Sequence, residues 1–285
     1  MNNLLNLTIV IATVGEKSLL RVIKNINSTI SKPRKILVVI YKKNLRKINK
    51  SIMNSHKNVE IVPTNSPGQV YQRIEGFKLA KTNFVMQIDA DCFIDNQSIK
   101  EMINFLKTHK NASVGPCFLD IKNNLPIHKL NNNYQIFNIL KNLILGFPTN
   151  HSIMGKVSKA GTNFGVDFFF LKKKLIPVEW IPGGCLMHHK KNLYLKNYYP
   201  FKGKAYYEDL IHSKMLIQRK IKLFIIKNAI CKTDFPKFPE KFKDFIKCIV
   251  SYKYSCKIYN VSIVRKYICI ILYFIRYFKN QIIKK

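Results

Sequence analysis

Short apolar runs alternate with helical patterns over the first 110 residues. Four runs are rich in Val and Ile and have the length of strands buried in a parallel sheet: 8–13, 36–41, 59–62 and 84–88. Apolar residues recur at helical spacing between and after them: Leu19, Ile23, Ile26 and Ile30; Val70, Ile74 and Phe77; Ile99, Met102, Ile103 and Leu106. The alternation predicts βαβ units, and therefore a Rossmann-like half over residues 1–110.

The pattern loosens from residue 111 to about residue 174. An Asn-rich stretch leads to a predicted helix over 134–145 and to a glycine-dotted segment over 151–165. Such stretches inside a compact domain are usually functional loops or disorder. Order returns over 178–187, which reads as an edge strand, a bend at Gly183 and Gly184, and another strand. The glycine pair is either a tight turn or a place where the backbone approaches a ligand.

A helix over 211–220 and a strand over 223–226 complete the pattern, so residues 111–239 are interpreted as the second half of one α/β domain. The predicted fold class is therefore α/β, with a parallel sheet flanked by helices.

Composition adds a strong charge bias. The 285 residues are 47% hydrophobic, enough for a packed core, and carry 49 Lys and Arg against 15 Asp and Glu, a formal charge of +34. That charge suits nucleic acid, an anionic membrane or phosphorylated substrates, although drift in an A+T-rich genome also enriches Lys, Asn and Ile. Seven scattered cysteines without a Cys-x-x-Cys spacing indicate neither a zinc site nor a disulfide framework, which favours a reducing cytoplasm. The amino terminus lacks the basic region of a secretory signal and is interpreted as a strand.

Two carboxylates follow the fourth apolar run, in the tripeptide Asp89-Ala90-Asp91. Ligands of open α/β sheets bind at the carboxyl ends of strands, and carboxylates suit Mg²⁺ or Mn²⁺ together with substrate phosphates. The tripeptide therefore predicts a metal and nucleotide-diphosphate site. The alternative is a solvated turn in which Asp89 caps the helix that begins near Gln97.

A second acidic pair, Glu208-Asp209, precedes the helix over 211–220. Acidic residues near a helix amino terminus are favoured by the helix dipole, which is a sufficient structural reason for the pair. The catalytic alternative is a general base that accepts the proton of a sugar hydroxyl as that hydroxyl attacks an anomeric carbon. A metal on Asp91 would then neutralise the departing nucleoside diphosphate.

These motifs, in this order, resemble the inverting glycosyltransferases of family 2. The resemblance implies their GT-A fold, a Rossmann-like α/β fold with a mixed, mostly parallel sheet flanked by helices. The resemblance covers about residues 7–234 and rests on five segments: the strand and loop over 10–16, the helix over 67–76 with its Gln-Arg pair, the Asp-x-Asp tripeptide, the segment over 180–186 and the Glu-Asp pair. It implies transfer of a sugar from a nucleotide-diphosphate donor to a hydroxyl of a saccharide or lipid-linked acceptor. Relatives serve bacterial surface-polysaccharide, lipopolysaccharide and glycolipid synthesis.

The resemblance also implies roles for individual residues. Asp91 would hold Mn²⁺ or Mg²⁺, and Asp209 would be the general base beside Glu208. The donor nucleotide would be bound by Thr13, Gly15, Glu16, Gln72, Arg73, Asp89 and Ala90. The acceptor would be bound by Trp180, Gly183, Gly184 and Cys185.

Three departures from the family pattern limit what it implies. The second strand ends in Tyr41-Lys42-Lys43-Asn44, without the Asp that many relatives use to read the base, so the nucleotide stays open. Ile74 follows Arg73 where Asn is common. A histidine that often serves as an extra metal ligand is missing from residues 229–234, where Asp234 is either a substitute oxygen ligand or a surface residue.

The segment over 240–285 mixes aromatic and aliphatic residues with many Lys and Arg and has only two acids, Glu240 and Asp244. Its most apolar stretch, 267–275, is far shorter than the ~20 residues of a spanning helix. The sequence predicts a basic amphipathic tail that lies on the inner face of the plasma membrane. The alternative is a helical appendage that packs on the catalytic domain or on a second subunit.

Other function classes remain open. The charge of +34 is sufficient for binding of polyanions such as nucleic acid, although no recognised nucleic-acid motif is present. A catalytically silent family member that acts as an assembly partner is a further alternative, against which the intact Asp91 and Asp209 argue. The lysine runs 172–174 and 190–191 are either solvated faces or a holder for a lipid pyrophosphate.

Overall fold

A computed structural model describes residues 4–28, 31–48, 56–129, 136–147, 153–234 and 238–283. The strands are β1 (Leu5–Thr13), β2 (Pro33–Tyr41), β3 (Val59–Thr64), β4 (Phe84–Ile88), β5 (Phe93–Ile94), β6 (Ala112–Asp120), β7 (Leu175–Val178), β8 (Cys185–His189) and β9 (Lys222–Thr233). The helices are α1 (Leu19–Asn27), α2 (Gln69–Leu79), α3 (Asn96–Thr108), α4 (Ile136–Leu145), α5 (Glu208–Gln218), α6 (Phe242–Tyr259) and α7 (Ile263–Ile283), with 3₁₀ helices at Lys42–Lys47, Phe168–Phe170 and Lys190–Asn192.

These strands form one mixed sheet in the order β3-β2-β1-β4-β8-β6-β9-β5, and β7 pairs with the first part of β9. β3, β2, β1 and β4 run parallel, as the βαβ pattern predicts. β8 inserts antiparallel between β4 and β6, and β9 returns parallel to β6. The predicted α/β class with a mostly parallel sheet is confirmed.

The helical stripes predicted from spacing are the buried faces of α1, α2 and α3. Leu19, Ile74 and Leu106, for example, are all at most 2% exposed. Ile30, the last member of the first stripe, lies outside the described residues, as does the first part of the helix predicted over 134–145. The strand–bend–strand predicted over 178–187 is present, although its first strand ends at Val178 and does not begin there.

The largest difference from the sequence prediction is β6, which lies in the segment interpreted as irregular. All nine of its residues are buried. The strand was not recognised in the sequence because Gly115 and Pro116 are residue types that are typical of turns. In the structure the register of β6 against β9 shifts between Pro116 and Cys117, and a Cβ at position 115 would lie 2.4 Å from Ile181 Cγ2. The close approach of the neighbouring segment explains the glycine.

Asp95 caps α3, because its side chain accepts a hydrogen bond from the Ser98 N–H at 2.6 Å. The interpretation of Asp89 as the cap of this helix is therefore wrong. Asp89 lies at the end of β4, where its backbone N–H donates to the Gly184 carbonyl at 2.9 Å.

α6 and α7 pack together around Phe245, Tyr252 and Tyr277, which are at most 6% exposed, and contact the domain through Ala160. The appendage interpretation thus holds for one side of the tail. Over the described residues, no helix combines the length and apolar character that a crossing of the bilayer requires.

Candidate active site

The predicted site residues converge where β4 ends and α5 begins. Asp89 and Asp91 follow β4, Arg73 lies on α2, and Glu208 and Asp209 form the first turn of α5. The sheet order explains the convergence, because β4 and β8 are neighbours and the chain passes from β7 through Gly183 and Gly184 into β8. The two acidic motifs therefore face each other across the edge of the sheet.

Arg73 joins the two motifs. Its side chain is 1% exposed, and its guanidinium donates to Asp89 Oδ1 at 2.6 Å and to Glu208 Oε1. Burial alone would lower the pKa of Arg73, but the charges of Glu208 and Asp89 outweigh burial and raise it. The guanidinium is thus permanently charged and fixes two carboxylates that are more than 100 residues apart in sequence.

Glu208 is enclosed on its other sides. The Tyr198 hydroxyl donates to Glu208 Oε2 at 3.2 Å, and burial followed by the charge of Glu208 raises the pKa of Tyr198 well above its usual value. Gly183 lies against the same carboxylate, because a Cβ at position 183 would be 2.1 Å from Glu208 Oε1. Glu208 is therefore a buried structural anion of the site.

Asp209, the neighbour of Glu208, is only partly buried. Its Oδ1 accepts a hydrogen bond from the Leu210 N–H at 2.9 Å. Burial, and then the charge of Glu208, raise the pKa of Asp209 to about 7. A carboxylate with such a pKa is suited to accept a proton near neutral pH.

Asp91 is exposed and lies near the loop that follows β1. In that loop the Thr13 hydroxyl donates to Glu16, and the Gly15 N–H donates to Thr13 Oγ1 at 2.9 Å. Partial desolvation of the Asp91 carboxyl group, and then the charges of Asp89, Glu16 and Asp234, raise the pKa of this group. Negative charge is therefore concentrated around Asp91.

In the described parts of the chain, no three His, Cys, Asp or Glu side chains are grouped closely enough to form a metal site by themselves. The carboxylates around Asp91 nevertheless fit a divalent cation that takes its remaining ligands from a diphosphate and water, as Mg²⁺ usually does. Asp89 is less suited to that role, since Arg73 already occupies its Oδ1.

Other predicted site residues have side chains committed elsewhere. Gln72 is buried and donates to the carbonyls of Thr13 and Val39 at 2.9 and 2.8 Å. Trp180 is 2% exposed, and its indole N–H donates to the Phe164 carbonyl at 3.0 Å. Cys185 is fully buried and Ala90 is 4% exposed. These buried side chains support the walls of the site and are not available to contact a ligand.

The sequence did not indicate three further residues of the site. Gln69 Nε2 donates to Asp89 Oδ1 at 3.1 Å, and Gln87 Nε2 donates to the Gly183 carbonyl at 2.7 Å. Tyr198, described above, is the third. Gln69 lies four residues before Arg73, on the same side of α2, so helical spacing is a signal that would have found it. Tyr198 and Gln87 carry no such local signal.

The carboxyl-terminal helices fix the start of α5. Tyr207, which precedes the helix, has a left-handed backbone with φ of 58°, and its hydroxyl bonds to the Tyr273 hydroxyl of α7 at 2.5 Å. The Tyr259 hydroxyl of α6 donates to the Leu210 carbonyl at 2.9 Å. α6 and α7 are thus part of the support of the acidic pair.

Comparison with solved structures defines the class of fold. The structure of GalNAc-T7 with UDP, GalNAc and Mn²⁺ has a TM-score of 0.62 at 13% identity, and the match covers 90% of this chain and 48% of that one. S. aureus TarS 1-349 in complex with UDP-GlcNAc has a TM-score of 0.54 at 12% identity, with 88% and 66% covered. The chain therefore has the GT-A fold that the motifs implied, and it spans about half to two thirds of the length of these structures.

The family model of glycosyl transferase family 2 matches residues 8–172, more than half of the 285 residues. The chain belongs to glycosyl transferase family 2. A comparison with curated proteins found no match.

Proposed function

We propose that this protein is an inverting, metal-dependent glycosyltransferase that moves a sugar from a nucleotide-diphosphate donor to a hydroxyl of a saccharide or lipid-linked acceptor. The observation that carries the proposal is the bridge by Arg73 between Asp89 and Glu208. A transfer of this type needs a site for the diphosphate and a base for the acceptor hydroxyl. The bridge places the two acidic motifs that would supply them side by side.

The donor would lie at the carboxyl ends of β1 and β4. Asp91 would hold Mn²⁺ or Mg²⁺, with Glu16 or Asp234 contributing through water, and the bound ion would neutralise the charge of the departing diphosphate. The backbone of the loop at Thr13 and Gly15 would line the nucleoside side of the site. The solved relatives of this fold were crystallised with UDP and with UDP-GlcNAc, which supports uridine diphosphate as the first nucleotide to test.

Asp209 would act as the general base. It would accept the proton of the acceptor hydroxyl while that oxygen attacks the anomeric carbon from the side opposite the diphosphate, which inverts the configuration at that carbon. Glu208 keeps the pKa of Asp209 raised, and Arg73 keeps Glu208 in place. Position 183 would have to remain glycine for this arrangement, since a side chain there would collide with Glu208.

The proposal includes a location: the enzyme would work in cell-surface glycan synthesis at the cytoplasmic face of the plasma membrane of a bacterium. Support comes from α7. Its outward side exposes Val264, Ile271, Ile275 and Ile282 at 58–73%, whereas Cys269 and Tyr277 are buried on the opposite side. The helix contains four basic residues and no acid. An apolar stripe with basic flanks is the chemistry of a helix that lies in an anionic lipid surface.

The experiment that tests the proposed function is thermal stabilisation by nucleoside diphosphates. Uridine, deoxythymidine, guanosine and cytidine diphosphates are each added with and without Mn²⁺ to the wild type and to Asp91→Asn. Because a ligand that binds only the native state raises the apparent stability, one diphosphate should raise the Tm of the wild type, and only with Mn²⁺. Asp91→Asn should remove that shift.

The control is Asp244→Asn, which removes a carboxylate on α6 that forms an ion pair with Lys247 at 3.1 Å, far in sequence from the proposed donor residues, and it should behave as the wild type. A folded wild type without any metal-dependent shift would reject the proposed donor site. The silent-partner and polyanion-binding alternatives would then be favoured.

A further inference from the structure

A cavity of about 470 Å³ lies where α6 passes into α7, beside the second half of α5. Its walls come from the segment over 157–159, from Glu179 before β8, from Lys214 on α5 and from residues 259–262. No residue that the resemblance assigned to the acceptor lines it. Trp180 and Cys185, which the resemblance placed at the acceptor, are buried instead.

The cavity adjoins the proposed base through one side chain. Tyr259 lines the cavity, and its hydroxyl donates to the carbonyl of Leu210, the residue that follows Asp209. Burial, and then the charges of Asp209 and Glu179, raise the pKa of Tyr259. Tyr259 therefore connects the wall of the cavity to the first turn of α5, which carries the carboxylate that would accept the acceptor proton.

The charge of the cavity is positive. Lys159 and Lys214 both line it, and within the described residues neither forms an ion pair. Lys214 Nζ lies 5.2 Å from the centre of the Tyr259 ring. The one acid in the wall, Glu179, is already compensated by Lys156 Nζ at 3.0 Å and by the Val157 N–H at 2.9 Å.

Two uncompensated ammonium groups in a concave site favour an anion with several oxygens, and lysine binds phosphate well as a point charge. The cavity also lies next to the lipid-facing part of α7, because Ser262 lines it and the next two residues, Ile263 and Val264, are 67% and 69% exposed. A ligand with a lipid chain in the membrane and a phosphate near the headgroups would reach it.

We infer that this cavity binds the phosphate group of an anionic, lipid-linked acceptor and so positions the acceptor sugar at Asp209. The inference rests on the proposed transferase and names its substrate class. Lys159 and Lys214 are the binding residues. The exposed lysine run 172–174, which the sequence left open as a phosphate holder, does not line this cavity.

The test compares two double variants that lose the same charge, Lys159→Gln/Lys214→Gln and Lys172→Gln/Lys173→Gln. Binding of inorganic pyrophosphate is measured by calorimetry without divalent ions, so that the Asp91 site is not engaged. Loss of a hydrogen bond to a charged group weakens binding by about tenfold. We expect Lys159→Gln/Lys214→Gln to weaken pyrophosphate binding by at least that factor, and the matched control to stay near the wild type.

A second arm separates a lipid headgroup from a free phosphate. Binding to vesicles of phosphatidylcholine with phosphatidic acid is compared among the same proteins. A loss confined to Lys159→Gln/Lys214→Gln in either arm supports the inference, and the arm that shows it identifies the source of the phosphate. Equal loss in both variants, a larger loss in the control, or no loss in either arm overturns it.

The donor assay of the proposed function is run on the same variants. Neither lysine contacts Asp91 or Arg73, so the Mn²⁺-dependent stabilisation by a nucleoside diphosphate should persist in Lys159→Gln/Lys214→Gln. Failure of donor binding in the wild type would reject the transferase, whereas selective loss of pyrophosphate binding would still establish the cavity as an anion site.

Discussion

Gly183 is where the packing of the site leaves no room for a side chain. A Cβ there would lie 2.1 Å from Glu208 Oε1 and 3.3 Å from a terminal nitrogen of Arg73. We expect Gly183→Ala to displace Glu208 and to lower kcat/KM by roughly a hundredfold, the scale of a 1 Å misplacement in an active site. The overpacking should also cost about 1–3 kcal/mol of stability, measured by urea unfolding.

Gly184→Ala is the matched control for this prediction. Its Cβ would meet the Cys92 sulfur at 3.2 Å and Asp89 Oδ2 at 3.7 Å, which smaller shifts relieve. We expect a clearly smaller loss of kcat/KM than for Gly183→Ala. If Gly183→Ala kept the wild-type rate, Glu208 would have no part in the reaction.

Asp209 should set the pH dependence of the reaction. Its pKa of about 7 means that the base form grows as the pH rises through 7, so kcat/KM should increase about tenfold per pH unit below 7 and level off above it. The pH profile of kcat/KM from pH 5 to 9 measures this, and Asp209→Asn should show neither the rise nor appreciable transfer.

The raised pKa of Asp209 also affects stability. Activity should rise with pH, whereas the contribution of this group to the free energy of unfolding should fall. A carboxyl group whose pKa is higher in the folded than in the unfolded protein favours folding below pH 4, and that contribution is lost as the pH rises through 7. Asp209→Asn should therefore unfold at a higher temperature than the wild type at pH 8 and at a similar temperature at pH 4. An unchanged Tm at pH 8 would show that the folded protein does not raise the pKa of this carboxyl group.

At the scale of elements, the parallel strands β1–β4 were predictable, as were β8 and the first part of β9, whereas β6 was not. β1, β2 and β4 are largely buried, so their sequences are continuous apolar runs that stand out from the helices between them. β6 is equally buried, but its sequence contains Gly115 and Pro116. Gly115 is explained by the close contact with Ile181, and Pro116 lies where the register against β9 shifts. Both causes are tertiary and leave no local pattern.

The same division applies to the candidate site. Asp89, Asp91 and the Glu208-Asp209 pair were predictable, because each follows a strand or starts a helix. The role of Arg73 as a bridge was not predictable, since no local sequence pattern around residue 73 indicates an ion pair with residue 208. Tyr207 shows the limit most clearly: it precedes the acidic pair with a left-handed backbone, and its hydroxyl bonds to Tyr273, which is 66 residues away.

At the scale of the whole molecule, the formal charge of +34 and the exposed side of α7 favour the same kind of partner. Charge alone suits any polyanion, but α7 combines its basic residues with an exposed apolar stripe. The phosphate backbone of a nucleic acid would contact the basic residues but would leave the apolar stripe exposed to water. A second copy of the chain would bring Arg265, Arg276 and Lys279 of two helices together, which like-charge repulsion disfavours. An anionic lipid surface satisfies both the charge and the stripe.

Sedimentation with vesicles of phosphatidylcholine and phosphatidylglycerol tests this orientation, using Ile271→Glu/Ile275→Glu. Each isoleucine that enters the lipid contributes on the order of 1.5 kcal/mol, so the double variant should bind at least about a hundredfold more weakly. Leu79→Glu/Leu195→Glu makes the same change at residues that are 49% and 46% exposed, one at the end of α2 and the other in the loop after the 3₁₀ helix Lys190–Asn192, and it should bind as the wild type does. Equal weakening of both would assign the binding to net charge alone, because each variant adds two negative charges. A dimer that dissociates only in Ile271→Glu/Ile275→Glu, without vesicle binding by the wild type, would assign the stripe to a second copy.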